Sequence, residues 1–402
     1  MSFSEHYFSR YPSLPAFFDA VLENKLGIIV VIPCYNDDFV FQTLSSLENA
    51  EVPQCAVEVV VVVNSGENTP ENIVRKNKIV FEELEKQAKK GCYKKFKLLP
   101  IYIENVPRKI AGVGNARKTG MDEAVRRFSL IDNPHGLIVS LDADCLVDKN
   151  YFRTIEKAAT EKTKSGGFVF QFQHDFDTAR YSEEEIAACG LYESYLRYYK
   201  SALAISGFPY CFHTIGSCFG VRASAYVKIG GMSRRQGGED FYFLHKLAQM
   251  TDIEEIAETL VFPSPRISER VPFGTGPAVK SIIQAGEYRV YNFELFLVLK
   301  RFFDCFQHFS KDENIELNDV PEEIINFAGK ENLLKLIGEC KQNAKQGTNL
   351  KKRLFSKFDA FFVVKFLNSF DENSKYSPMK VQAVATALSV YCETFPKLKT
   401  ES

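Results

Sequence analysis

The run VEVVVVV, Val57–Val63, is the strongest constraint on what this chain can fold into. β-Branched residues without polar alternation read as a strand buried on both faces, and such strands belong to parallel sheets covered by helices on each side. LGIIVVIPCYND (residues 26–37) has the same texture and closes on Pro33, and FKLLPIYIEN (96–105) and GLIVSLDADC (136–145) add two more strands. Between them lie DDFVFQTLSSLENA, with Phe39, Val40, Leu44 and Leu47 at helical spacing, a charged helix over 71–95, and GVGNARKTGMDEAVRRF, which turns helical after its glycines. Strand and helix thus alternate four times, which predicts βαβ units and a mostly parallel sheet. Ligands of such sheets bind beyond the carboxyl ends of the strands, so PCYND, NSGEN and DADC converge as a candidate site.

Beyond residue 150 the pattern loosens. GGFVFQFQHDF reads as a further strand, 183–205 as a helix, and HTIGSCFGVRASAYVKIGG as strand, turn and helix. From about residue 277 the chain is helical, aromatic and charged. The Pro/Gly cluster RVPFGTGPAV marks the boundary. The predicted organisation is an N-terminal arm and short helix over 1–25, an α/β domain over 26–276 and a C-terminal helical region over 277–402.

With 402 residues, 45% of them apolar and 25% charged, the chain can bury a large core. Fifty basic residues against 51 acidic ones give no support to a general nucleic-acid binder. The ten cysteines form no CxxC pair and several lie in strand-like runs. They read as reduced thiols of a cytoplasmic protein. The N-terminus lacks a secretory pattern, and no apolar run approaches the roughly 20 residues needed to span a bilayer. FELFLVLKRFFDCF (293–306) is amphipathic, suited to core packing or to peripheral contact with a partner or membrane surface.

Three stretches carry chemistry. Asp142 and Asp144, two residues apart at a strand end, either cap the following helix or hold Mg²⁺ or Mn²⁺ together with phosphate oxygens. Glu239 and Asp240, after Gly237 and Gly238, are ordinary helix-start charges or include a general base for an acceptor hydroxyl. The glycines before Asn115, Arg117 and Lys118 suit an anion or a plain turn; the spacing is neither a P-loop nor GxGxxG.

IPCYND, VVVNSGEN, GVGNARKTGMDEA, LDADC, GSCFGVRASAYVKIGGM and GGEDFYFLHK follow one another as in family 2 glycosyltransferases, which this chain resembles over roughly residues 26 to 272. The resemblance implies a GT-A fold, Rossmann-like and mostly parallel. It also implies a nucleotide-diphosphate sugar as donor and Mn²⁺ or Mg²⁺ as cofactor. By the same resemblance, Pro33, Tyr35 and Asn36 line the base and ribose pocket, with Asn64 at the second strand end. Arg117 approaches the diphosphate, Asp142 lies near ribose and metal, and Asp144 is the principal metal ligand. Asp240 is the catalytic base and Glu239 orients the acceptor. The family often has an aspartate where this chain has Asn64, and the QxxRW motif of processive synthases is absent. His213 and His245 are candidates for a third metal ligand.

Asp240 as base gives inversion where base and metal flank the sugar on opposite sides; retention is the alternative outcome. The acceptor (a glycan, a lipid-linked or a small molecule) is not specified by any motif. Arg266 and Arg270 in SPRISERVPFGTG suit a loop over the diphosphate or a simple linker. A nucleotidyltransferase that makes nucleotide sugars is the rival enzyme, although PCYNDD is acidic where such enzymes carry a basic, Gly-rich signature. A nucleotide-sugar-binding scaffold without turnover is the rival outside catalysis.

Overall fold

The computed structural model describes residues 2–11, 14–19, 25–268, 271, 273–309, 317–344 and 347–394; Arg270 lies outside these. The chain divides into two compact units, Met1–Cys189 with Thr214–Lys280, and Gly190–His213 with Ser281–Ser402.

The first unit is built on one eight-stranded sheet. Its strands are β1 (Leu26–Cys34), β2 (Ala56–Gly66), β3 (Lys97–Val106), β4 (Leu137–Ser140), β5 (Cys145–Val147), β6 (Gly167–Phe172), β7 (Phe219–Arg222) and β8 (Ile253–Pro263). They lie in the order β3-β2-β1-β4-β7-β6-β8-β5. The helices of this unit are α1 (Glu5–Arg10), α2 (Val40–Asn49), α3 (Glu71–Lys90), α4 (Val113–Leu130), α5 (Tyr151–Glu161), α7 (Ala223–Lys228) and α8 (Glu239–Ala248), while α6 (Glu183–Ile205) has its first turns here and the rest, from Gly190, in the second unit.

The β-branched runs occupy the middle of the sheet. Val30 faces Val59 and Val31 faces Val60 in a parallel register, and Val59 through Val63 are fully buried. Each such side chain contributes about 1.5–3 kcal/mol on leaving water, which fixes β1 and β2 as central strands. Parallel pairing extends across β3-β2-β1-β4, as the strand–helix alternation predicts. Antiparallel pairing enters with β7, against β4 and β6, and with β5, against β8.

The second unit is mostly helical. Phe293–Asp304 starts with Asn292, whose side chain accepts the N–H of Glu294, and it buries Phe293, Leu295, Phe296, Val298, Leu299, Phe302 and Phe303. The stripe in FELFLVLKRFFDCF is therefore core. Phe302 meets Phe358 edge-on at 5.0 Å and Phe306 at 5.1 Å. Among the described residues no helix is long and apolar enough to cross a membrane, and no two cysteines form a disulfide.

Candidate active site

β4 stops at Ser140, and the chain passes through Leu141, Asp142, Ala143 and Asp144 before β5 begins. Neither aspartate caps a helix. α5 starts only at Tyr151, behind Asn150, which makes no side-chain cap, and the nearby Asp148 accepts from the Leu260 N–H at 3.0 Å. Asp142 and Asp144 instead each take a guanidinium.

Arg117, on the first turns of α4, donates Nη2 to Asp142 Oδ1 at 2.5 Å and Nη1 to Glu239 Oε1. It is 2% exposed. One buried cation therefore joins the end of β4 to the first turn of α8, bringing together residues 122 positions apart. Its fit depends on Gly216: a Cβ there would lie 2.7 Å from Arg117 Nη2. Burial works against the charge on Arg117, but Asp142, Glu239 and Asp240 outweigh it and hold the pKa above its ordinary value. The Asp142 side chain is 34% exposed. The protein packed around it still pushes its pKa up by desolvation, against the pull of Arg117.

Arg266 performs the same service for Asp144. Its Nη2 donates to Asp144 Oδ2 at 2.9 Å and also to Asp37, whose side chain is fully buried beside β1. Burial lowers the Arg266 pKa less than Asp144 and Asp37 raise it. The linker reading of SPRIS thus gives way at Arg266, which ties two strand ends together.

Glu239 is buried, and Gly238 before it has φ 66°, a left-handed conformation that favours glycine. Asp240 accepts the N–H of Phe241 at 2.7 Å. Desolvation, helped by the charge on Glu239 and opposed by Arg117, pushes its pKa up to about 7.

Pro33 is buried within β1, and Tyr35 and Asn36 are half-buried on the loop after it. Asn36 adopts φ 50°. Its N–H donates to Asn77 Oδ1 at 2.7 Å, and Asn77 Nδ2 donates to Asn64 O at 3.1 Å and Ser65 Oγ at 2.8 Å. Asn64 in turn reaches Gly112 O at 3.4 Å. Asn77, from α3, thus clamps the ends of β1 and β2. It escapes a sequence reading because it stands in a charged helix; the only local signal is its polarity on the apolar face shared with Val80 and Leu84. Replacing Asn77 by alanine leaves the donors and acceptors it serves without their partner. It is expected to cost about 1–3 kcal/mol, read as a lower urea midpoint.

Of the two histidines, His213 falls in the helical unit, where burial lowers its pKa to about 4. His245 lies on α8 with its ring 4.6 Å from that of Phe241, and burial lowers its pKa to about 3. Among the described residues no group of three or more His, Cys, Asp or Glu is placed to hold a metal alone. Asp142 and Asp144 nonetheless fit Mg²⁺ or Mn²⁺. Both are carboxylates with solvent access, 34% and 20% exposed, and these ions commonly bind one or two protein carboxylates together with substrate phosphates.

Residues 29–230 match the profile of glycosyl transferase family 2. The chain belongs to that family and is a glycosyltransferase, with an α/β unit built on the eight-stranded sheet and a C-terminal helical region. This decides against nucleotidyl transfer. No curated protein matches the sequence. Among solved structures, the chain is similar to S. aureus TarS 1-349 in complex with UDP-GlcNAc. The two are 15% identical over 82% of this chain and 91% of that one, with a TM-score of 0.42. It is also similar to the mannosyltransferase PcManGT from Pyrobaculum calidifontis in complex with GDP-Man and Mn²⁺. There the identity is 14% over 98% of this chain and 94% of that one, with a TM-score of 0.36.

Proposed function

We propose that this glycosyltransferase moves a sugar from a nucleotide diphosphate to an acceptor hydroxyl with inversion, Asp240 serving as general base. The observation that carries the reading is the Arg117 bridge, because it makes Asp142 and Glu239 border one place. The leaving-group side then belongs to Asp142 and Asp144, and the acceptor side to Glu239 and Asp240. Asp144, with Asp142, would hold Mn²⁺ or Mg²⁺, which supplies positive charge to the departing diphosphate.

Within this chain the division of labour follows from burial and charge. Asp240, raised toward neutrality, is poised to take a proton near pH 7. The freed acceptor oxygen attacks the anomeric carbon as the bond to the diphosphate breaks. Arg117 is enclosed by carboxylates, so its part is to set Asp142 and Glu239 in register and to bring positive charge close to the diphosphate. Arg266, 28% exposed, adds positive charge beside Asp144. Pro33, Tyr35 and Asn36 take the base and ribose, and the Asn77 clamp keeps Asn64 beside them.

The test is a thermal-shift screen of UDP-, GDP- and dTDP-sugars with and without Mn²⁺, on the wild type and on Asp144→Ala. One nucleotide sugar is expected to raise the melting temperature of the wild type more with Mn²⁺ than without it. A ligand at about 100 times its Kd adds about 2.7 kcal/mol of stability. Asp144→Ala is expected to lose the metal-dependent part. An equal Mn²⁺-dependent shift in Asp144→Ala would remove Asp144 from the site.

A further inference from the structure

The N-terminal arm lies along the back of α4, the helix that carries Arg117. Ser4 Oγ meets Ser129 Oγ at 2.5 Å at one end. Further along, Tyr7 is 2% exposed, and its hydroxyl donates to Asp122 Oδ1 at 2.7 Å while accepting from Lys118 Nζ at 2.7 Å. Tyr226, from α7, donates to the same Asp122 oxygen at 2.9 Å, and Lys118 pairs with Asp122 at 3.0 Å. This buried cluster of two tyrosines, a lysine and an aspartate is not used by the transfer chemistry described above. Lys118 is the immediate neighbour of Arg117.

The cluster bears on the segment that delivers the acceptor-side acids. Gly230 and Gly231 follow α7 with φ 83° and 72°. The Tyr7 hydroxyl occupies the space a Cβ on Gly231 would need, and the Tyr11 hydroxyl lies 2.8 Å from where a Cβ on Gly230 would be. The bend is therefore formed against the arm. From it, residues 232–238 run past the start of α4, where Gly114 leaves room for the Arg235 carbonyl, and Gln236 Nε2 donates to Arg108 O at 2.6 Å. The next residues are Glu239 and Asp240.

We propose that Tyr7 is a positioning residue for glycosyl transfer. Its hydroxyl, held between Lys118 and Asp122, sets the Gly230–Gly231 bend, and through it the placement of Glu239 and Asp240 against Arg117. This rests on the proposed role of those two acids. The ring of Tyr7 fills volume and a phenylalanine fills it equally; the hydroxyl is what fixes the bend, by its hydrogen bonds and its contact with Gly231.

The experiment compares wild type, Tyr7→Phe, Tyr7→Ala and Asp240→Asn in full-length protein. The readouts are release of nucleoside diphosphate from the nucleotide sugar that stabilises the wild type most, with water standing in for the acceptor, and the melting temperature. Tyr7→Phe is expected to lower kcat about tenfold with donor KM within about twofold of the wild type, since small misplacements of a reacting group are costly. Its melting temperature is expected to fall by a few degrees, because Asp122 and Lys118 lose a buried partner, with the protein still fully folded at the assay temperature, while Tyr7→Ala loses both. Unchanged kcat in Tyr7→Phe beside an inactive Asp240→Asn would overturn the positioning role alone. So would a kcat that falls only where Tyr7→Phe is partly unfolded. An Asp240→Asn variant as active as the wild type would instead overturn the reading of the acids, and the positioning role with it.

Discussion

Asp240→Asn is expected to bind the nucleotide sugar as the wild type does and to turn it over about a thousandfold more slowly, within the range that a positioned general base supplies. The substitution is nearly isosteric, and the asparagine oxygen can still accept the Phe241 N–H that Asp240 accepts at 2.7 Å. What is removed is the capacity to take a proton and, with it, the charge that the ionised carboxylate places near Arg117. Two further signatures separate this loss from damage to the fold. In the wild type, kcat/KM is expected to rise with pH through about 7 and then level off, because the base must be ionised and desolvation has raised it from 3.8 to about 7. That limb should be missing from the residual activity of Asp240→Asn.

The other signature is stability. A carboxylate whose folded pKa lies above its unfolded one holds more protons when folded, so stability falls as pH rises from about 4 to about 7 and stays low above that. Asparagine has no such penalty, and Asp240→Asn is expected to melt above the wild type at pH 8. Full transfer activity in Asp240→Asn would end its assignment as the base.

The parts of this site legible in the sequence are those that announce themselves locally. Val57–Val63 and Leu26–Cys34 are strands because nothing but a two-sided burial suits them, and Asp142, Asp144, Glu239 and Asp240 stand out as acids placed where apolar or glycine-rich runs end. Helix α6 is legible over Glu183–Ile205 from its spacing alone. Pairings are another matter. Arg117 with Glu239, Arg266 with Asp37 and Asp144, and Tyr7 with Asp122 span 122, 229, 122 and 115 positions. They depend on the order of strands in the sheet, which no local period encodes. β8 is hidden for a different reason. Its first half carries Glu254, Glu255 and Glu258 and is largely open to solvent, and only towards Val261 does burial take over. A strand with so weak an alternation is not distinguished from a loop or a charged helix. The sheet-spanning role of Asn77 is concealed likewise, because a single polar residue on a helix face carries no sign of the backbone groups it will meet.

Arg117→Met is expected to be the most destabilising single change in the site. The guanidinium is buried, and its two carboxylate partners differ: Asp142 retains solvent access, whereas Glu239 is 3% exposed in its side chain. Removing the cation leaves Glu239 charged, buried and without its ion pair, a situation that costs about 3–5 kcal/mol. Methionine matches the length of the arginine stem, so the cavity contribution stays small and the charge accounts for the loss. The double variant Arg117→Met/Glu239→Gln therefore regains much of the stability, because no buried charge is then left uncompensated, but it regains no turnover. Urea unfolding of the wild type, the two single variants and the double variant gives the coupling between the two positions directly. Were Arg117→Met to unfold at the wild-type urea concentration, the bridge from β4 to α8 would not be what holds the two pairs of acids in one place.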